Sequence, residues 1–231
     1  MEASNGEKEV TLGSNNKECL DKTLAVLGPA FADDAMFTYF VHHHPSPARR
    51  RALIQTLLRL FVQVGAAGGA HLLEADSWGA AAVFLPPGRG VVGAVVELGF
   101  TSIKRMYTDL IAPIERLKRQ HLTPEERAGG YGYLTVVGTA PARQGQGLGG
   151  ALLRRMQALA TAAGGRPIWL EASSEGSRRL YERHGFVVVG EVVAGRGGRG
   201  GGRAREGWGG GGSVLGHGLA EGEGGGGGRG G

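Results

Sequence analysis

The stretch Arg143-Gln144-Gly145-Gln146-Gly147-Leu148-Gly149-Gly150 lies between a predicted strand, Tyr133–Gly138, and a predicted helix, Leu148–Ala163. Its glycines allow the backbone to come close to a bound group. The first N–H groups of a helix have no partners within the helix and lie at the positive end of its dipole. Successive N–H groups of this loop can therefore hold a phosphate or pyrophosphate, and Arg143 can add a charged contact.

The same glycines permit two other interpretations. One is a tight strand-to-helix turn without a ligand, in a chain that is rich in glycine. The other is a dinucleotide site, because Gly145, Gly147 and Gly150 satisfy G-x-G-x-x-G. Glu171 ends the next predicted strand, as that motif requires. In dinucleotide sites, however, the first glycine follows the strand directly, whereas here Thr139–Gln144 intervene. The context therefore argues against a dinucleotide site.

The elements around this loop predict an α/β fold. After the helix come a predicted strand (Pro167–Ala172), a short helix (Glu175–His184) and a strand (Phe186–Val193). Strand, crossover helix and strand in this order give a parallel pair. Upstream, His71–Ala75 and Ala80–Leu85 predict an antiparallel hairpin. The fold class is therefore a mixed, partly antiparallel sheet flanked by helices.

Further elements are predicted nearer the N-terminus. A short strand is expected at residues 8–12, and Asn15 or Asn16 can cap a helix that runs toward Phe31. Ser46-Pro47 is a good start for a longer helix. Apolar residues at helical spacing predict another helix over 103–117, with a kink at its proline.

Two motifs together resemble the GNAT N-acetyltransferase family. The first is Gln144-x-x-Gly147-x-Gly149 after a strand and at the start of a helix. The second is the segment from Glu171 to Phe186, EASSEGSRRLYERHGF, which is similar to the family's N-x-x-A-x-x-L-Y-E-x-x-G-F segment. The sequences AFADD (30–34) and VFLPPG (83–88) resemble puromycin acetyltransferase-like members. The resemblance implies a GNAT-like sheet and an acetyl-coenzyme A-dependent N-acetyltransferase.

The resemblance also implies where acetyl-coenzyme A binds as co-substrate. The glycine loop would hold the pyrophosphate, and the end of the preceding strand would pair with the pantetheine arm. Ser174 stands where the family has asparagine. The implied cofactor-binding residues are Val137, Gly138, Thr139, Arg143, Gln144, Gly145, Gln146, Gly147, Leu148, Gly149, Gly150 and Ser174.

In this family the acceptor amine attacks the thioester directly in a ternary complex, so no enzyme nucleophile is needed. Tyr181 matches the family's acid tyrosine, which protonates the departing thiolate. Glu171 is the candidate general base, acting through water; a plain charge at the end of a strand is an equal interpretation. Tyr131, Tyr133 and a chain of waters remain alternatives for the base.

The acceptor is expected to be the primary amine of a small molecule, by analogy with the antibiotic-modifying members. Its pocket is expected to use about half of four aromatic residues in the first helical region, with Asp33 and Asp34 attracting a cation. The four aromatic residues are Phe31, Phe37, Tyr39 and Phe40.

Metal and membrane functions are not expected. The single cysteine, Cys19, excludes a disulfide framework and a multi-thiolate site. The consecutive histidines 42–44 point in different directions, which argues against a shared metal ion. The most apolar stretch, Leu53–Ala70, is interrupted by polar residues, and the first ten residues do not form a signal peptide. We expect a cytoplasmic protein of unknown oligomeric state.

The C-terminal residues 195–231 are expected to be a disordered tail, and residues 1–194 the folded domain. The tail holds 21 of the 45 glycines of the chain. Three RGG triplets in it suggest the alternative of an RNA-binding or degenerate GNAT-like protein, but five arginines against three acidic residues give only +2, and a low-complexity extension without a function is the preferred interpretation. Residues 213–215 are a poor substitute for a last strand, so either the sheet ends at Glu191–Val193 with an open edge, or the chain is partly degenerate and its activity is reduced.

Overall fold

A seven-stranded mixed sheet organises the protein. The computed structural model describes residues 8–89, 106–192 and 212–216. The strands are β1 (Val10–Gly13), β2 (His71–Ala75), β3 (Ala80–Leu85), β4 (Gly132–Thr139), β5 (Ile168–Ala172), β6 (Val187–Val192) and β7 (Gly212–Gly216). Their spatial order is β1-β2-β3-β4-β5-β7-β6, and every neighbouring pair is antiparallel except β4 and β5.

Six α-helices flank this sheet in the described ranges. They are α1 (Lys17–Ala30), α2 (Ala35–Val41), α3 (Pro47–Ala67), α4 (Ala112–His121), α5 (Leu148–Ala162) and α6 (Glu175–Arg183). No single helix among the described residues is long and apolar enough to span a membrane. Helices α1 and α2 reach the necessary length and hydropathy only together, and they are bent by 90° relative to each other.

Polar side chains fix where the helices begin. Asn16 accepts a hydrogen bond from the Cys19 N–H at 2.9 Å, and Ser46 accepts one from Arg49 at 3.3 Å. Both caps satisfy N–H groups that the helix itself leaves without a partner. The predicted starts of α1 and α3 are therefore confirmed.

The sheet is buried on both faces. Strand β3 shows this most directly, because all six of its residues are buried. Ala81, Val83 and Leu85 pack with residues of α1 and α3, whereas Ala82 and Phe84 pack with residues of α5. The alternation follows from the two-residue period of a strand. A layer of helices therefore covers each side, as the predicted fold class requires.

The helix predicted over 103–117 differs in detail from the structure. Residues 90–105 lie outside the described ranges. Residues Tyr107–Ile111 form a π-helical turn, and α4 follows directly from Ala112. Pro113 lies in the first turn of α4, directly after the π-helical turn.

Strand β7 overturns the expectation that residues 213–215 supply no strand, while β6 remains the edge of the sheet. It pairs with β5 from Trp169 to Ala172 and with β6 from Val187 to Val192, so it lies between them. The strand comes from the segment that the sequence analysis assigned to the tail. The composition of this segment does not indicate a strand, because the residues with which it pairs lie 20 to 47 positions earlier in the chain. The RGG triplets at 196–201 and 229–231 lie outside the described residues.

The parallel pair β4 and β5 stays together for only three residues, from Gly132–Ile168 to Leu134–Leu170. Beyond this point the two strands have no pairing in the described residues. On its other side β4 remains paired with β3, with a bulge at Thr135, because Val83 faces Val136 and Phe84 faces Leu134. The end of β4 therefore presents a backbone edge to an opening in the sheet.

We expect β7 to be needed for stability. A chain that ends at Gly211 loses both ladders of β7, whereas a chain that ends at Gly216 keeps them. Since each net hydrogen bond contributes about 0.5–1.5 kcal/mol, the shorter chain should have a free energy of unfolding lower by several kcal/mol. Urea denaturation of the two chains measures the difference. Equal midpoints would contradict the placement of β7 inside the sheet.

Candidate active site

A cleft of about 570 Å3 opens where β4 and β5 separate. Its walls are the end of β4, the glycine loop, the start of α5, the start of α6 and the end of α1. We call it the amide cleft. All the residues assigned to cofactor binding from the sequence line it except Gln146: Val137, Gly138, Thr139, Arg143, Gln144, Gly145, Gly147, Leu148, Gly149, Gly150 and Ser174.

The glycine loop leaves its backbone donors free. Gly145 and Gly147 have φ angles of +77° and +79°, which residues with a Cβ rarely adopt. Gly147 caps α5 without a side-chain hydrogen bond. The N–H groups from Gly145 to Gly150 donate to no acceptor in the described residues. They lie at the positive end of a 15-residue helix, which makes the loop suitable for binding an anion.

Two glycines at the start of α5 have a packing role. A Cβ at Gly150 would lie 2.6 Å from the His184 Nε2, and one at Gly149 would lie 3.2 Å from the Leu180 Cδ2. These contacts bring α5 close to α6. The glycine-rich composition therefore serves both the free amides and the helix packing, so the interpretation of a tight turn holds for part of the motif.

Arg143 lines the amide cleft but is already engaged. Its guanidinium forms an ion pair with Asp76, and its Nε donates to the Gln146 Oε1 at 2.9 Å. Lys8 also lies 3.8 Å from the Asp76 carboxylate. Arg143 therefore connects the glycine loop to the β2–β3 turn, which the sequence analysis did not foresee. Gln146 takes part through this contact and does not line the cleft.

Ser174 has a structural task at the edge of the cleft. Its hydroxyl accepts a hydrogen bond from the Ser177 N–H at 3.1 Å, and the Ser177 hydroxyl accepts one from the Ser174 N–H at 3.1 Å. This capping box fixes the start of α6. The side chain is thus used to begin the helix that carries Tyr181.

A second, mostly apolar cavity of about 240 Å3 adjoins the cleft, and we call it the inner cavity. Its walls come from α2, α3, the π-helical turn, α4 and strands β4 and β5. Thr135, the bulge residue of β4, is one of its lining residues, and its Oγ1 is buried without a hydrogen-bond partner. The two cavities share five residues: Phe31, Val137, Ser173, Ser177 and Tyr181.

Tyr181 is buried on α6 at the junction of the two cavities. Burial raises the pKa of its hydroxyl strongly, and the negative charges of Glu171 and Asp34 raise it further. The hydroxyl therefore keeps its proton at neutral pH. A protonated hydroxyl that borders both cavities can donate that proton to a group bound in either one.

Glu171 lines the inner cavity and not the amide cleft. Its two carboxylate oxygens accept hydrogen bonds from the Trp169 Nε1 at 3.0 Å and the Tyr133 hydroxyl at 2.9 Å. Burial raises the pKa of Glu171, while the charge of Lys118 and the two hydrogen bonds oppose that rise. A carboxylate with a raised pKa is suited to accept a proton near neutral pH.

Lys118 is the residue that sequence reasoning missed. Its side chain is only 8% exposed, and its Nζ lies 3.0 Å from the Glu115 Oε1. The Nζ lies 5.3, 4.6 and 6.0 Å from the ring centroids of Tyr131, Tyr133 and Trp169. Burial opposes its charge, but Glu171, Tyr131 and Glu115 more than offset this and raise the pKa of Lys118. The sequence does not distinguish Lys118 from the other basic residues in the last turn of the same helix.

The acidic residue nearest the cleft is Asp34. Its carboxylate accepts hydrogen bonds from the N–H groups of Met36 and Phe37, both at 3.0 Å, and from the Ser173 hydroxyl at 2.6 Å. Burial raises its pKa, and these hydrogen bonds oppose the rise. Asp34 therefore caps α2 and ties it to the end of β5. Asp33, the other predicted cation-attracting residue, does not line either cavity.

The predicted aromatic pocket forms in part. Phe31 and Phe37 line the inner cavity, whereas Tyr39 and Phe40 do not. Among the candidate bases, Tyr133 lines it and Tyr131 does not. No group of three or more His, Cys, Asp or Glu side chains in the described ranges is arranged to hold a metal ion.

Comparison with known proteins agrees with this architecture. Residues 87–186 match the family model described as the acetyltransferase (GNAT) family. The C-terminal condensation domain of Ebony has a TM-score of 0.61 and 11% identity, covering 91% of this chain and 98% of that chain. Histone acetyltransferase HPA2 and related acetyltransferase from Corynebacterium glutamicum has a TM-score of 0.58 and 22% identity, covering 91% of this chain and 95% of that chain.

Mosquito arylalkylamine N-acetyltransferase like 5b has a TM-score of 0.52 and 16% identity, covering 80% of this chain and 86% of that chain. At these identities the likeness concerns the fold. Three features agree with an acetyltransferase fold: the separation of β4 from β5, the free N–H groups at the start of α5, and the match of residues 87–186 to the family model. Residues 87–186 are therefore similar in sequence to the acetyltransferase (GNAT) family, and the described residues share their fold with solved acetyltransferases.

Proposed function

We propose that the protein transfers the acetyl group of acetyl-coenzyme A to the primary amine of a small molecule. The observation that carries this proposal is the place of Tyr181, which borders both the amide cleft and the inner cavity. A group transfer requires two substrates to meet at one point. The junction of the two cavities provides such a point.

The amide cleft fits acetyl-coenzyme A as a substrate. Free N–H groups from Gly145 to Gly150 suit the pyrophosphate, and a Cβ at Gly145 or Gly147 would project into open space. The end of β4 has an edge that β5 does not use, so its backbone can pair with the amides of an extended pantetheine arm. The free N–H groups and the open space beside the glycines therefore suit the loop to a large anionic substrate.

The inner cavity supplies the groups that manage protons. The amine nitrogen forms a bond to the thioester carbonyl carbon, and the carbon–sulfur bond breaks. Glu171 accepts the proton that the amine loses, directly or through water, and Tyr181 gives its proton to the departing thiolate. The raised pKa of each residue supports its role, because Glu171 can bind a proton and Tyr181 retains one at neutral pH.

Substitution of Gly147 by glutamate should abolish acetyl-coenzyme A binding, because the carboxylate would occupy the place of the pyrophosphate. Gly164→Glu is the matched control, since Gly164 follows the other end of α5, has a φ of +98° and also has no atom within 4 Å of an added Cβ. Calorimetric titration should give a dissociation constant raised at least about 100-fold for Gly147→Glu alone. An equal loss in both variants would point to strain in the backbone and against the site.

Tyr181→Phe should lower kcat by about 10²–10⁴-fold, the usual contribution of a general acid. The ring and its packing remain, so acetyl-coenzyme A should bind with unchanged affinity. Tyr107→Phe is the control, because Tyr107 is 60% exposed and lines neither cavity. Release of free thiol measures the rates. Full activity of Tyr181→Phe at every pH would refute the assignment of the acid.

Lys118→Met should shift the pH dependence of the rate. The charge of Lys118 lowers the pKa of Glu171, so its removal should raise that pKa. A base acts only when deprotonated, and the acidic limb of kcat/KM should therefore move to higher pH. Lys118→Arg keeps the charge and should leave the limb closer to its original place. An unmoved limb in Lys118→Met, with acetyl-coenzyme A binding intact, would exclude Glu171 as the base.

A further inference from the structure

We propose that the acceptor is a small hydrophobic monoamine, in which an aromatic or branched aliphatic group sits on a short chain that ends in a primary amine. This inference rests on the acetyl transfer proposed above and assigns the substrate class of the same site. The apolar group fills the inner cavity, and the nitrogen lies at the end of the cavity formed by Glu171 and Tyr181.

The walls of the inner cavity are apolar over most of their extent. Phe31 and Phe37 meet edge to face with ring centroids 5.4 Å apart, and Phe37 meets Phe61 in the same way at 5.8 Å. Leu57 and Leu60 of α3 also line the cavity. These aromatic and leucine side chains offer no hydrogen-bond partner to a polar substrate, and free energy is gained when an apolar group displaces water from them.

The charged groups of the cavity are gathered on α4 and β5. Among the lining residues in the described part of the chain, Glu115, Lys118 and Glu171 are the ones that carry charge. Two carboxylates and one ammonium give these three groups a net charge of −1, so together they can compensate one further ammonium beside Glu171. Each oxygen of Glu171 accepts a single hydrogen bond and can accept another.

This charge count selects among amines. A diamine would bring a second ammonium into apolar surroundings without a carboxylate to pair with it, which is costly. An amino acid would bring a carboxylate close to Glu171, where two like charges repel. A monoamine avoids both penalties. Lys118 interacts with both Glu115 and Glu171, so the three groups together still attract one ammonium.

The volume of the cavity sets the size of the acceptor. At about 240 Å3 it is smaller than the roughly 300–1,000 Å3 of pockets that hold drug-sized ligands. One ring or branched chain with a two- or three-atom link is therefore the expected scale. A lysine side chain of a protein would need the polypeptide backbone to pass the mouth of the cavity as well.

The test compares four acceptors with the full chain and saturating acetyl-coenzyme A: 2-phenylethylamine, phenylalanine, putrescine and a lysine-containing peptide with a blocked N-terminus. Phenylalanine differs from 2-phenylethylamine by one carboxylate, and putrescine replaces the ring by a second amine. We expect kcat/KM for 2-phenylethylamine to be at least about tenfold higher than for each of the others. Putrescine lacks the apolar group, whose burial changes an equilibrium constant by about this factor or more, and the carboxylate of phenylalanine is repelled by Glu171. Preference for the peptide, the diamine or the amino acid would overturn the proposal.

Two variants on α3 locate the acceptor. Leu60→Trp adds bulk at a residue that lines the inner cavity, whereas Leu53→Trp makes the same change at a part-buried residue that does not line it. Leu60→Trp should weaken binding of 2-phenylethylamine at least about tenfold in calorimetry without acetyl-coenzyme A, and Leu53→Trp should leave it nearly unchanged. Val64→Phe, at another lining residue, serves if Leu60→Trp does not fold.

The outcomes distinguish the proposed acetyl transfer from the proposed class of acceptor. If 2-phenylethylamine binds and Leu60→Trp weakens it, but acetyl-coenzyme A does not bind, the acetyl transfer is wrong and the amine cavity stands. If acetyl-coenzyme A binds and is consumed with polar amines in preference, the acetyl transfer stands and the substrate class is wrong. Equal binding of 2-phenylethylamine by both tryptophan variants would also overturn the assignment of the inner cavity.

Discussion

The early separation of β4 and β5 is the constraint on which the site depends. Their pairing ends at Leu134 and Leu170, while β4 stays attached to β3 as far as Thr139. The sheet thus opens without losing its strand order. The opening gives the amide cleft a free backbone edge and lets the inner cavity reach the same point. Tyr181 can border both cavities because the capping box at Ser174 starts α6 beside this opening.

The two cavities differ in electrostatic character, and this difference suits two different substrates. On the cleft side, the free N–H groups at the start of α5 favour an anion. On the inner side, Glu171 is held by two hydrogen-bond donors and stabilised in its ionised form by the charge of Lys118. The burial of Lys118 is tolerable because Glu115 and three aromatic rings surround its ammonium group. In the proposed function, this separation of charge would place an acidic coenzyme in the amide cleft and a basic acceptor in the inner cavity.

Features coded by neighbouring residues were predictable from the sequence. The β2–β3 hairpin has the predicted bounds, the caps at Asn16 and Ser46 begin the predicted helices, and the glycine loop joins the predicted strand and helix. Features that depend on distant contacts were not. Strand β7 gains its place from pairing with β5 and β6, and Arg143 is oriented by Asp76, which lies 67 residues earlier. Lys118 acquires its role only when α4 packs against β5, because nothing in its own helix distinguishes it from other basic residues.

The most direct test of this arrangement is an NMR titration of the 15N-labelled full chain with coenzyme A, which follows each backbone amide separately. Binding by the free donors predicts that the largest shifts occur at the N–H groups of Gly145–Gly150, with smaller shifts at Val137–Thr139 along the open edge of β4. Saturable binding with the largest shifts at amides away from the amide cleft would contradict the account, as would a complete lack of shifts in the folded protein.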